Sequence, residues 1–181
     1  ILFPPFPFIY PISQFIKNST INLGAQDCYT EISWAFTGET SISMLNSLGC
    51  SYILVGHSER RTIFNETNKK INKKINLVIN EGLNCILCIG ENKNEYEKGM
   101  NKEICSIQLT ECLLNINEND LDKIIIAYEP VWAIGTGLNA TPEIADDVHS
   151  YIRSWISNKY SEDIAKKMCI LYGGSVNPDN I

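Results

Sequence analysis

Short apolar runs alternate with longer stretches in which apolar residues recur every three or four positions, and that alternation predicts the elements. Residues 1–3 read as a strand, 11–18 as a short helix and 21–26 as a second strand. Next come a helix over 41–48 closed by Gly49 and a strand over 51–55 closed by Gly56. The helix over 68–81 carries Ile71, Ile75 and Val78 on one face and is closed by Gly82. A strand over 84–89 follows, then a helix through Cys105, Leu109, Cys112 and Ile116. The run 124–128 is β-branched from its first residue, which predicts a parallel strand buried on both faces. Thr141, Pro142 and Glu143 begin another helix as N-cap, first helical residue and first-turn acid, with Ala145, Val148, Ile152 and Trp155 on its inner face. The last strand is 168–172. Strands and helices in this order indicate right-handed βαβ units around a parallel sheet, in a single α/β domain over 1–181. A doubly wound sheet and a barrel satisfy the pattern equally.

Composition narrows the partners. The net charge of -6 argues against a nucleic-acid or anionic-membrane surface, so an anionic substrate would need a locally positive site or many backbone N–H groups. Lys69, Lys70, Lys73 and Lys74 sit on a helical pattern and are expected on its solvated face. No stretch has the length of a membrane span and no basic-start signal peptide is visible. Seven cysteines without framework spacing suit a reducing compartment. Cys85 and Cys88 match C-x-x-C but lie three apart in a strand, so they are expected on opposite faces and buried. With His57 and His149 the only histidines, no metal is predicted.

Polar motifs fall just after the strands: His57-Ser58-Glu59, Gly90-Glu91, Glu129 and Gly173-Gly174-Ser175. Loops converge at the carboxyl ends of parallel strands, so this is where an α/β active site is built. Taken singly, Glu129 would read as a solvated carboxylate, His57 as a core or capping residue, and Gly-Gly-Ser as a plain turn. Glu129 is followed by Pro130, which ends the ladder, and by an apolar stretch closed by Gly135 and Gly137 that has the character of a lid.

The whole stretch Ala127-Tyr128-Glu129-Pro130-Val131-Trp132-Ala133-Ile134-Gly135-Thr136-Gly137 resembles the active-site signature of the triosephosphate isomerase family. Gly56-His57-Ser58-Glu59-Arg60-Arg61 resembles a second motif of that family. The resemblance covers the chain from Ile1 to Ile181 and implies a (β/α)₈ TIM barrel, with Ile1 in the second strand and Tyr172 ending the seventh. It further implies interconversion of dihydroxyacetone phosphate and glyceraldehyde 3-phosphate through an enediolate, in glycolysis and gluconeogenesis, without a cofactor. Glu129 would be the base and His57 the electrophile, kept neutral by its place at a helix start as in that family itself. Ser58 and Glu59 would support them, Glu59 by orienting its neighbours. Gly135, Gly174 and Ser175 would cradle the phosphate with backbone N–H groups. Residues 131–137 would be the lid, with Ile134 desolvating Glu129. Thr37, Gly38 and Glu39, after Phe36, resemble the loop that reaches a second subunit, which implies a homodimer. Cytoplasm is the expected location, or a plastid if a targeting segment precedes Ile1.

Several features depart from the family pattern. Trp34 stands where glycine is usual, Asp27 where asparagine is usual, and Leu138 where a basic residue is usual. The chain opens in mid-strand and reads as truncated: the first strand, with its asparagine and electrophilic lysine, and the eighth, with a Gly-Gly phosphate loop, have no counterpart. An unclosed barrel leaves strand edges unpaired, so these residues alone are expected to fold poorly and to turn over little substrate. A non-catalytic relative serving as a binding or structural partner is the alternative, as is another phosphosugar enzyme on the same barrel.

Overall fold

The computed structural model describes residues 1–33, 35–134 and 140–176; Trp34, Gly135, Thr136, Gly137 and Leu138 lie outside them. Five parallel strands form one sheet: β1 Gly24–Ala25, β2 Tyr52–Val55, β3 Asn84–Ile89, β4 Ile124–Tyr128 and β5 Ile170–Tyr172. Each pairs with the next in sequence, in the order β1-β2-β3-β4-β5. A doubly wound sheet reverses direction at a switch point, whereas a barrel wall adds every strand on the same side. The observed order is that of a barrel wall. Leu2 bridges Leu23 in parallel and its N–H donates to the Asn22 carbonyl at 2.9 Å, so the predicted strand 1–3 lies beside β1 as a single bridge.

The two faces of the sheet confirm the winding. Ile53, Val55, Cys85, Leu87, Ile89, Ile124, Ile126 and Tyr128 join the large core with the helices, while Ile86, Cys88 and Ala127 form a second cluster with Phe3, Tyr52, Leu54 and Ile125. No helical residue belongs to that second cluster. Helices therefore cover one face, as they do outside a barrel. Cys85 and Cys88 separate onto opposite faces as the strand period requires, and both are buried free thiols. Burial of β4 on both faces is overturned at Ile125, which is only partly buried because few side chains share the inner face.

Eight helices complete the described chain: α1 Ile9–Ile16, α2 Ile42–Ser47, α3 Ser58–Ile63, α4 Asn68–Asn80, α5 Lys93–Glu97, α6 Asn101–Cys112, α7 Pro142–Lys159 and α8 Glu162–Lys167. Their caps are local chemistry. Ser41, Thr67, Thr141 and Ser161 each accept a backbone N–H of the first turn, and Asn92 with Glu95 closes a reciprocal capping box on α5. Ile71, Ile75 and Val78 of α4 are fully buried, worth about 1.5–3 kcal/mol each. Ile116 lies beyond α6, because Leu113 caps that helix and Asn115 turns the chain with φ 60°.

One surface expectation fails. Lys74, expected on a solvated face with its neighbours, is 3% exposed. Its Nζ donates to Asp27 Oδ1 at 2.6 Å and to Glu66 Oε1. Arg60 Nε lies 3.0 Å from Asp27 Oδ2 without aiming its N–H at an acceptor. The departure at Asp27 thus places a carboxylate beside the buried Lys74 and the half-buried Arg60, and the charge is absorbed by this cluster with Glu66.

Candidate active site

Glu129 leaves the end of β4 and His57 the end of β2, two strands apart, and the sheet brings them into contact. Glu129 Oε1 is 3.0 Å from His57 Nε2, and Oε2 accepts the Ser58 backbone N–H at 2.9 Å. The carboxylate is 4% exposed. Burial raises its pKa above the ordinary 4.5, against the opposing pull of His57, the Ser58 amide, the Cys88 thiol and Arg61.

The protonation pattern of His57 follows from its own cap. Nδ1 accepts the Glu59 backbone N–H at 3.3 Å, so that nitrogen presents a lone pair and the ring proton sits on Nε2, facing Glu129. Glu59 Oε2 lies 3.8 Å from the same Nδ1, but that side chain is 71% exposed and its charge is screened by water. Nε2 is thus the ring nitrogen directed into the site, and Glu59 acts through its backbone.

The remaining predicted residues divide. Ser58 joins the pair through its amide. Gly173 donates its N–H to the Tyr128 carbonyl at 2.7 Å, which sets the 173–175 loop beside Glu129; Gly174 is half-buried and Ser175 exposed. Of the lid, Val131–Ala133 form a 3-10 turn in which Trp132 and Ala133 are buried, and Ile134 is half-buried behind them. Gly135, Thr136 and Gly137 lie outside the described residues. Thr37, Gly38 and Glu39 form an exposed turn closed by the Glu39 N–H on the Phe36 carbonyl at 3.0 Å.

Three supporting residues went unassigned in the sequence. Glu91 is completely buried, and its Oε1 accepts from Tyr128 Oη at 3.0 Å and from Trp132 Nε1 at 2.8 Å. It ties the Val131–Ala133 turn to the end of β3; Trp132 also stacks on Tyr96 of α5 at 4.0 Å. Gln108 of α6 accepts the Gly90 N–H at 2.8 Å and donates to the Gly90 carbonyl at 3.0 Å, gripping the peptide beside Glu129. Arg61 joins the ends of β2 and β3. Glu91 follows its strand as Glu129 does, and that placement was the available signal; Arg61 lies inside the motif that begins at Gly56, which gives it no role, and Gln108 sits on a helical pattern with no signal.

An imidazole against a buried carboxylate, at the carboxyl ends of strands wound in one direction, is the arrangement of an α/β-barrel enzyme. The family model described as triosephosphate isomerase matches residues 1–181. The chain belongs to the triosephosphate isomerase family, and its sheet is part of that family's (β/α)₈ fold. It is 47% identical to the triosephosphate isomerase of Dictyoglomus thermophilum over all of its length and 73% of that relative. The corresponding enzyme of Chlorobium phaeobacteroides is 49% identical, over 98% of this chain and 70% of the relative. That of Dictyostelium discoideum is 46% identical, over 98% and 68%.

Proposed function

We propose that the protein interconverts dihydroxyacetone phosphate and glyceraldehyde 3-phosphate, with Glu129 as the base and His57 as the electrophile. The observation that carries this reading is the 3.0 Å approach of the Glu129 carboxylate to His57 Nε2, whose ring partner Nδ1 accepts the Glu59 N–H. Glu129 must leave His57 and Ser58 to reach substrate. It then takes the proton from the carbon next to the carbonyl, while His57 Nε2–H donates to the carbonyl oxygen. The C–H electron pair becomes the double bond of an enediolate, whose oxygens exchange their proton through His57. Return of the proton from Glu129 to the neighbouring carbon completes the isomerisation, with no net oxidation.

The support around the pair fits this chemistry. Gly135, Gly174 and Ser175 would hold the phosphate through backbone N–H groups, and residues 131–137 would shut out water that favours loss of phosphate from the enediolate. Trp132, held by Glu91, anchors the near end of that lid. The exposed turn carrying Thr37, Gly38 and Glu39 would reach a second copy of the chain, making the working form a homodimer.

The test is isomerisation in D₂O followed by NMR. Proton transfer through Glu129 places solvent deuterium on the carbon that gains hydrogen, and Glu129→Gln should lower the rate by roughly 10² to 10⁴. Turnover without deuterium uptake, or turnover unaffected by Glu129→Gln, would overturn the assignment.

A further inference from the structure

We propose that Arg61 is a positioning residue for the His57–Glu129 pair, holding the ends of β2 and β3 at a fixed separation through its guanidinium fork. The kinetic arm of the test rests on the isomerase reading above; the structural arm does not.

The parallel ladder between β2 and β3 ends at the Val55–Leu87 pair. Immediately beyond it, Gly56 turns away with φ 71°, and the carbonyls of Gly56 and Cys88 are both acceptors with no rung between them. Arg61, one turn into α3, supplies the missing donors: Nε–H to the Gly56 carbonyl at 2.7 Å and Nη2–H to the Cys88 carbonyl at 3.0 Å. A Cβ on residue 56 would come within 3.0 Å of both Nη2 and Ile71 Cδ1 and 3.2 Å of the Cys88 carbonyl, so a side chain there would intrude on the space the guanidinium occupies. Nη1 donates to Asn68 Oδ1 at the start of α4, which fixes the plane of the fork.

Both bridged carbonyls adjoin the reacting groups. Gly56 immediately precedes His57. Cys88 precedes Ile89, whose carbonyl accepts the Glu129 N–H at 2.7 Å. One planar cation therefore spans the backbone that carries the imidazole and the backbone that seats the carboxylate. Lysine carries the same charge, but as a point on a flexible stem it cannot bond both carbonyls in a fixed plane.

The experiment compares Arg61→Lys and Asn68→Ala with the unsubstituted protein. Imidazole ¹⁵N NMR reads the site without reference to any substrate, and with two histidines in the chain His57 is readily assigned. The unsubstituted protein should show an unprotonated Nδ1 and a protonated Nε2 at His57; Arg61→Lys should broaden or average those signals. In steady state well below the melting temperature, Arg61→Lys should lower kcat roughly tenfold with KM within about twofold. Asn68→Ala should change both readouts in the same direction but less. Unchanged His57 signals and kcat beside a lowered melting temperature would reduce Arg61 to structural support and overturn the proposal. Asn68→Ala alone decides in that way if Arg61→Lys does not fold. If the unsubstituted protein fails to isomerise triose phosphates, the isomerase reading falls and the His57 signals decide the role of Arg61 by themselves.

Discussion

Gly90 and Gly173 press on Glu129 from two sides, and adding one methyl group to either tests how closely that residue is held. A Cβ on residue 90 would lie 1.8 Å from the Glu129 carbonyl oxygen, and one on residue 173 would lie 2.9 Å from Glu129 Cγ. Because Cβ contacts below 3.0 Å are essentially never seen, Gly90→Ala demands a displacement of at least about 1.2 Å, Gly173→Ala only about 0.1 Å. Residue 90 cannot retreat, since Gln108 grips its N–H and its carbonyl. Glu129 must therefore move, and with it the hydrogen bond from its own N–H to Ile89. A misplacement near 1 Å costs about 10² in rate, and overpacking adds roughly 1–3 kcal/mol of destabilisation. The expected result is kcat down about 10² with a clear fall in melting temperature for Gly90→Ala, and less than about tenfold for Gly173→Ala, where a flexible methylene can yield. Isomerase kinetics and thermal melts on purified variants provide the comparison. Equal effects at the two sites, or normal turnover in Gly90→Ala, would refute the claim that the Gly90 contact fixes Glu129.

Other measurements bear on separate parts of the molecule. Under the proposed mechanism Glu129 acts as a carboxylate, and because burial raises its pKa above 4.5, the acid limb of kcat/KM should fall at a pH above 4.5 and should vanish from any residual rate of Glu129→Gln. The same raised pKa means that the folded state holds this proton more tightly, so stability is lost as pH rises from 4.5 through the folded value; relative to the unsubstituted protein, Glu129→Gln should gain about 1.4 kcal/mol per unit of that shift over this window, read by denaturant titration at several pH values. Lys74→Ala leaves Asp27 and Glu66 buried without their shared cation and should cost about 3–5 kcal/mol in the same titration, whereas Lys69→Ala on an exposed position should be within about 0.5 kcal/mol. Of the seven cysteines only Cys169 is exposed, so a thiol reagent should label one site in the folded protein and all seven in denaturant.

Much of this site was legible in the chain because its main residues sit at strand exits, and strand exits are written locally. A run such as Ile124-Ile125-Ile126 announces its strand, and Glu129 follows directly. His57 reads the same way after 52–55. The supporting residues were less visible. Gln108 and Arg61 occupy ordinary places on helices, and their partners at Gly90, Gly56 and Cys88 are reached only after the chain has turned back on the sheet. Lys74 was read outward with Lys73 because a helical pattern records spacing; the acids at Asp27 and Glu66 that draw it inward lie on other segments.

By itself the sequence determined the succession of strands and of the longer helices between them, the Thr141 cap of α7, the separation of Cys85 from Cys88, and the placing of Glu129 and His57 at strand exits; the short helices α5 and α8 were not legible in it. Each legible feature depends on interactions among near neighbours or on the period of a single element. The direction of winding, the register that sets Gly90 beside Glu129, and the turning of His57 Nε2 toward the carboxylate were decided only in the tertiary structure. Those are relations between strands far apart along the chain, fixed by burying one face of the sheet under its helices and leaving the other to Phe3, Leu54, Ile86 and Ala127.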